Sequence, residues 1–361
     1  MRVFFPKLDS LRFLSFFFVY WDHCIAIIFP RFLHKDVVSY LEPFLRLGGV
    51  GVRVFFVISG FLITYLLISE TEQTGTINVI KFYKRRALRI WPLYFFCMIT
   101  GALILPEILS AFTYCGNIFL GLTFLNNFDV IYYFDQCPEA QMRISWSVAI
   151  EEQFYLFWPL LFLLFVRMSS MYRYLFCWAL IAISFVFAYN STLNIKSYHT
   201  ISNMGYLIVG CFGAFYFKKN PASSILDIIN KNIWLIVLMT AVALSLTFYF
   251  SWFFLPGSLL LAFLYLSIVV YFALCNKGKV NMFDKLGKYT YGMYFYHTIV
   301  FVGLLVLFDI LHLKYNQNNL LMLCVSLLTL PATIITAMLS YRFLESPFLK
   351  VKRKLAVVQT R

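Results

Sequence analysis

The sequence predicts an all-α integral membrane protein: a bundle of about ten transmembrane helices with both termini cytoplasmic. Three observations carry this. Of 361 residues, 61% are hydrophobic and only 13% charged, too few charges to coat a soluble domain of this length. The apolar residues fall in blocks close to the ~20 residues that cross a bilayer as a helix. Lysine and arginine partition unequally between the segments that join those blocks.

The blocks place spans at 11–30, 48–69, 90–109, 146–166, 172–190, 203–217, 232–250, 253–274, 289–312 and 319–343. With the N-terminus inside, the inner segments and their flanks hold 21 of the 30 lysines and arginines and the outer segments hold six. That is the positive-inside bias, and it supports the count and the orientation together. The net charge of +14 therefore describes topology and calls for membrane lipids as surroundings, not nucleic acid. Most of the 42 Phe and 24 Tyr read as lipid-facing bulk and interfacial belts. No linker, low-complexity run or repeat of 20–50 residues divides the chain. One membrane domain, 1–346, with a basic cytoplasmic tail, 347–361, is the simplest organisation. The first span follows Arg2 and Lys7 but contains Arg12, Asp22 and His23 and lacks a small-x-small cleavage site, so it reads as a retained helix.

Eight cysteines show no metal-ligand spacing, and no metal is expected. Six fall in or beside spans, where a small apolar core residue is the ordinary role. Cys115 and Cys137 share the long outer segment 110–145, where an extracytoplasmic disulfide is open to them.

Ionisable groups inside spans are costly and point to function, against the alternative of a structural bond between helices. Arg12 and His23 are eleven residues apart, three helical turns plus roughly 20°, so an ideal helix puts them on one face about 16 Å apart. Asp9 lies three residues before Arg12, within pairing reach. In the fourth span Ser147, Glu151 and Tyr155 follow i, i+4, i+8. Glu152 suits the helix N-terminal dipole. Glu151, about 7 Å below the outer end, and His23, about 18 Å above the inner end of a ~30 Å core, fall at similar depths. A carboxylate beside an imidazole would ready it as a general base. His297 in the ninth span lies about 12 Å from the inner side, with Tyr294 one turn before it. It reads equally as a second catalytic group or substrate ligand and as a satisfied core histidine. His34, His199 and His312 read as solvated. Arg86 and Arg89, at i, i+3 before the third span, suit phosphate through their forked donors, although inside-positive bias alone would explain a cluster there. Arg53 within the second span needs a partner or a polar cavity. Gly49 and Gly60 beside it read as close-packing positions.

These pieces resemble the integral-membrane acyltransferase family called acyltransferase 3, which includes bacterial O-acetyltransferases of lipopolysaccharide O-antigens. The resemblance rests on Leu8-Asp9-Ser10-Leu11-Arg12 with His23 eleven residues beyond Arg12, Phe55-Phe56-Val57-Ile58-Ser59-Gly60-Phe61, and Arg86-x-x-Arg89 before Ile90-Trp91-Pro92. It continues with Trp146-Ser147 and Glu151-Glu152-Gln153-Phe154-Tyr155, Leu286-Gly287 leading to His297, and Glu345-Ser346-Pro347-Phe348. It covers nearly the whole chain. It implies transfer of an acyl group, usually acetyl, from cytoplasmic acyl-CoA to a hydroxyl of an extracytoplasmic glycan or lipid-linked saccharide, at a bacterial inner membrane and with no bound cofactor. In that scheme Arg86 and Arg89 hold the CoA phosphates. His23 and Glu151 are catalytic. Arg12, Arg53, Ser147, Tyr155 and His297 contact substrate. Arg53 departs from the family, in which many members have an acid or another polar residue there. The chain ends soon after the tenth span, so the soluble esterase-like domain of some relatives is expected to be absent. Two other classes remain. A transporter or flippase would also line a path with polar groups, but transporters often show paired halves, and none is visible here. A sensor or structural protein would have no need of His23 and Glu151 at matched depth.

Overall fold

The computed structural model describes residues 4–358 except 110, 115, 134–140, 251–253, 277, 314–317 and 357. Cys115 and Cys137 lie outside the described residues. Helices are numbered in chain order: α1 (Pro6–Tyr20), α2 (Lys35–Leu45), α3 (Gly48–Thr74), α4 (Val79–Ile99), α5 (Leu105–Ile108), α6 (Ile118–Leu122) and α7 (Asn126–Tyr133) come first. Then come α8 (Trp146–Arg167), α9 (Ser170–Tyr189), α10 (Leu193–Tyr198), α11 (Thr200–Lys219), α12 (Ser224–Lys231) and α13 (Ile233–Tyr249). The chain closes with α14 (Phe254–Val270), α15 (Met282–Leu286), α16 (Thr290–Ile310), α17 (Asn319–Ser340) and α18 (Ser346–Lys354). Among the described residues nine helical stretches are long and apolar enough to cross a membrane, and α12 with α13, bent by 75°, makes a tenth. That bent pair holds the expected span 232–250.

The sequence pattern explains which helices face lipid. In α13 only Ala243 is buried, while Trp234, Leu238 and Val242 are exposed. A helix apolar all round and uncovered by protein belongs in a bilayer. α3 is the opposite case and runs through the middle of the bundle. A Cβ on Gly60 would sit 1.9 Å from the Leu207 carbonyl oxygen, and one on Gly210 would sit 2.2 Å from that of Val57. These absent side chains let the α3 and α11 backbones touch, the small-residue packing that membrane helices use. Gly49 meets nothing within 4 Å. The close contact on that turn belongs to Gly51, against the Ser15 carbonyl of α1.

The ends of the helices show what stops them. Pro6 opens α1 in its first turn, where its missing N–H is no loss. Gly75, at φ +77°, ends α3. Asn78 caps α4 by accepting from Lys81 N–H. Across this corner, buried Glu70 accepts Arg85 Nη2 at 2.6 Å and the Asn78 N–H at 3.1 Å. Lys7 of α1 and Asp284 of α15 make a second buried ion pair at 2.8 Å. These two pairs and α18 mark one end of the bundle, called the basic end below.

Two local features position the site. α1 does not run straight to Arg31: residues Trp21–Ile25 form a π-type turn, a feature often found at functional positions. A similar turn, Tyr341–Glu345, joins α17 to α18. Part of the segment 110–145 packs against the bundle. Gln153 Nε2, in the second turn of α8, donates to Phe124 O at 2.7 Å and Asn127 Oδ1 at 2.8 Å, and Tyr94 of α4 donates to Gly121 O at 2.7 Å. The Phe124 and Gly121 carbonyls are thus satisfied by side chains of the bundle.

Candidate functional site

A cavity of about 350 Å³ opens within the basic end. α1, α3, α4, α8, α16 and α18 all contribute to its wall. Of the residues singled out from sequence, Arg12, Arg86, Arg89, Ser147, Glu151 and Tyr155 line it. The helical period puts Ser147, Glu151 and Tyr155 in one row along α8, and all three point to this space.

Each charge here has a definable environment. Arg12 Nη1 binds Asp9 Oδ1 at 2.9 Å, the i, i+3 pair that the spacing suggested. The Arg86 guanidinium carbon lies 5.6 Å from the centre of the Tyr155 ring and 5.8 Å from that of Phe82, a stacking arrangement suited to arginine. Its Nε is buried without a hydrogen-bond partner among the described residues. Glu151 Oε1 accepts Ser59 Oγ–H at 2.6 Å and Oε2 accepts Tyr155 O–H at 3.3 Å. Glu152 does not serve the start of α8. A preceding 3-10 turn, Gln141–Ser145, sets it in the second turn, where Oε2 accepts the Trp91 indole N–H at 2.9 Å.

Beyond the cavity lies a histidine pair. His23 Nδ1 is 2.9 Å from His297 Nε2, and the two rings are nearly parallel, 4° apart in plane. His297 Nδ1 is 2.8 Å from the Tyr294 carbonyl oxygen. A carbonyl only accepts, so His297 Nδ1 carries the proton. In neutral rings His297 Nε2 is then the acceptor and His23 Nδ1 donates to it. Among the described residues nothing engages the Nε2 lone pair of His23. His297 is fully buried, with Phe16 against its ring at 5.8 Å, whereas His23 is exposed.

The expected pairing of His23 with Glu151 is not what orients the imidazole. Matched depth holds for an ideal helix, but residues Trp21–Ile25 form a π-type turn that breaks this register, and His23 meets His297 of α16. Glu151 instead spends both oxygens on Ser59 and Tyr155. Arg53 is also displaced from expectation: it does not line the cavity and lies on the α11 side of α3, 5.6 Å from the Tyr206 ring centre. His199 caps α11 by accepting from the Ile201 N–H at 3.1 Å, while His34 and His312 are exposed.

Tyr294 links cavity and histidines. Its side chain lines the cavity, its hydroxyl donates to Ile144 O at 2.9 Å and meets Ser147 Oγ at 2.7 Å, and its carbonyl fixes His297. Several other residues were not assigned from sequence. Ser59 sits within the Phe55–Phe61 motif, and only its bond to Glu151 gives it a place in the site. Asp22 accepts the Gly48 N–H at 3.1 Å and lies 3.7 Å from Arg46 Nη1, which builds a polar rim beside His23. Glu345, Lys352 and Arg353 line the cavity from the C-terminal side. A basic run at a chain end reads as topology, so the last two carried no sequence signal of a site.

Comparison with known proteins gives this geometry a context. Residues 5–338 match the family described as an acyltransferase domain. A Staphylococcus aureus (strain COL) protein, provisionally named an O-acetyltransferase, is 28% identical over 379 residues, which covers 96% of this chain and 57% of that protein. The O-acetyltransferase OatA of Staphylococcus aureus (strain NCTC 8325 / PS 47) is 30% identical over 341 residues, 84% of this chain and 53% of its own. The chain thus spans little more than half the length of these curated relatives. No solved structure matches it significantly.

Proposed function

The chain belongs to the acyltransferase 3 family, and we propose that it is a membrane O-acetyltransferase that carries acetyl from acetyl-CoA on the cytoplasmic side to a hydroxyl of an extracytoplasmic glycan or lipid-linked saccharide, such as an O-antigen. The observation that carries this reading is the bond sequence Tyr294 O, His297, His23, which ends in an imidazole nitrogen with no partner among the described residues, on an exposed side chain. A base held in one tautomer by a buried partner is what removal of a hydroxyl proton requires.

The charge bias supports a cytoplasmic basic end and, with it, a cytoplasmic cavity mouth. Acyl-CoA enters thioester first. Arg86 and Arg89 bind its phosphates through paired N–H donors. The pantetheine arm runs along the apolar wall of α3, past Leu66, Leu62 and Phe55, toward Glu151 and Tyr294. The Tyr294 ring must turn aside for the thioester to reach His23. His23 Nε2 then takes the proton of the acceptor hydroxyl as its oxygen attacks the thioester carbonyl. The carbon–sulfur bond breaks, and the imidazolium returns the proton to the leaving thiolate. His297 accepts from His23 Nδ1 throughout and steadies the positive charge. The inner membrane of a bacterium is the location consistent with a cytoplasmic donor and an outside acceptor.

The test is mass spectrometry of surface glycans from cells with and without the gene. An acetyl increment, about 42 Da by the arithmetic of replacing H with acetyl, that is present only with the gene supports the reading and identifies the acceptor. Unchanged glycans with substrate flux across the membrane would favour a transporter.

A further inference from the structure

The segment after Pro347 looks in sequence like a tail that only reports orientation. In the structure it begins as α18, which packs against α4. One continuous stripe runs down α17's extension and α18: Tyr341, Glu345, Leu349, Lys352 and Ala356, with Arg353 beside it, all line the cavity. Within α18 the spacing from Leu349 to Lys352 keeps both on one helix face, while Tyr341 and Glu345 reach the same space from the preceding π-type turn and Ala356 from just beyond the helix end. Arg85 Nη1 donates to the Leu355 carbonyl at 3.4 Å and ties the end of α18 to α4, the helix that bears Arg86 and Arg89.

Cationic side chains outnumber carboxylates around this cavity. The cavity lining contains six cationic side chains, Arg12, Arg86, Arg89, Lys288, Lys352 and Arg353, against three carboxylates, Asp9, Glu151 and Glu345. Asp9 is held by Arg12, and Glu151 faces two hydroxyls. The side chains of Lys352 and Arg353 make no hydrogen bond or ion pair with any described residue, and Lys352 is half-buried. Concentrating like charges in a partly enclosed space is unfavourable unless a polyanion occupies it.

The order of groups along the donor decides which phosphate meets which cation. With the thioester innermost, the pantetheine lies next to α3, the diphosphate follows, and the ribose 3′-phosphate stays nearest the mouth. α18 is the last wall passed. The 3′-phosphate is a monoester, the most highly charged of the three at about −1.5 to −2, and the 3′ position distinguishes CoA from its dephospho form. We propose that α18 forms the 3′-phosphate subsite of acyl-CoA, with Lys352 and Arg353 as its ligands, while Arg86 and Arg89 take the 5′-diphosphate. This rests on the acyl-CoA donor proposed above. The segment is then a specificity element, and its basic residues select the complete coenzyme over shorter pantetheine thioesters.

Binding of CoA and of dephospho-CoA to the full chain in phosphatidylcholine nanodiscs, by titration calorimetry, tests this. Wild type should bind CoA roughly tenfold or more tightly than dephospho-CoA, the scale of charge-assisted bonds to one phosphate. Lys352→Gln with Arg353→Gln should bring CoA to the dephospho-CoA level and leave dephospho-CoA within about twofold. Lys352→Arg should retain most of the discrimination. Equal affinity of wild type for the two ligands would overturn the proposal, even if the double variant fails to fold. So would a double variant that weakens both ligands alike, which is the signature of general attraction. Repeating the titration with anionic lipid separates a headgroup site: a double variant that loses only lipid association and still prefers CoA overturns it too. If neither ligand binds wild type in any lipid, the acyl-CoA reading itself falls, and that outcome is distinct from the others.

Discussion

His23 Nδ1 stands 2.9 Å from His297 Nε2, and this contact settles which nitrogen of each ring is available. His297 is bound on both nitrogens and fully buried. In the proposed mechanism it therefore acts through His23 and not on the substrate. His23→Ala should abolish transfer, a loss of about 10²–10⁴-fold expected for a general base. His297→Ala should lower kcat by about tenfold to a hundredfold with the KM for acetyl-CoA little changed, because it frees the His23 ring without touching the donor cavity. His297→Gln, which keeps an acceptor for His23 Nδ1–H, should recover part of the rate. Steady-state kinetics in membranes check all three. Equal loss in His297→Gln and His297→Ala would contradict a positioning role.

Glu151 gives a second prediction that separates two accounts of the site. Its oxygens are engaged by Ser59 and Tyr155, and an amide can replace them by accepting from one hydroxyl and donating to the other. Glu151→Gln should retain activity within about tenfold, whereas a carboxylate acting on His23 would lose the ~10²-fold or more of an acid–base partner. The rate ratio at saturating donor decides between them.

Neighbouring arginines should behave differently. Arg85 is paired with buried Glu70 at 2.6 Å, and removing one partner of a buried pair costs about 3–5 kcal/mol. Arg85→Gln should lower the thermal midpoint of the detergent-solubilised protein. Arg86→Gln should change the midpoint less and raise the KM for acetyl-CoA, with a rise that more donor overcomes; Arg89→Gln should raise that KM likewise. Thermal scans beside donor titrations read both effects.

Helix contact in the bundle centre supplies a stability prediction. Gly60→Val would drive Cβ into the Leu207 carbonyl, 1.9 Å away on a backbone that cannot yield separately. The cost should exceed the ~1–3 kcal/mol of ordinary overpacking. Gly49→Val, at a position that meets nothing within 4 Å, should be tolerated. Yield and thermal midpoint of the two variants distinguish the sites.

What sequence could show follows the range of the interaction. The Asp9–Arg12 pair and the Ser147–Glu151–Tyr155 row are local, set by helical geometry, and are legible from spacing alone. Span placement is legible because it depends on composition. The partner of His23 is not, for two reasons: the π-type turn at Trp21–Ile25 changes the direction of the side chain, and the choice between α8 and α16 as neighbour depends on how whole helices pack. Arg53 shows the same limit, since its depth was readable but not whether it faced the cavity or α11. Lys352 and Arg353 were hidden differently. Their charge had a sufficient explanation in topology, and only the stripe they share with Tyr341 and Glu345 places them on the cavity.

The most direct test of the account is transfer across a sealed membrane. Purified protein would be reconstituted in liposomes, with a saccharide acceptor trapped inside and labelled acetyl-CoA supplied outside to those molecules whose basic end faces out. The account predicts covalent label on the enclosed acceptor with wild type and its loss, by about 10²-fold or more, with His23→Ala. Unimpaired labelling with His23→Ala, or passage of label without covalent attachment, would contradict it.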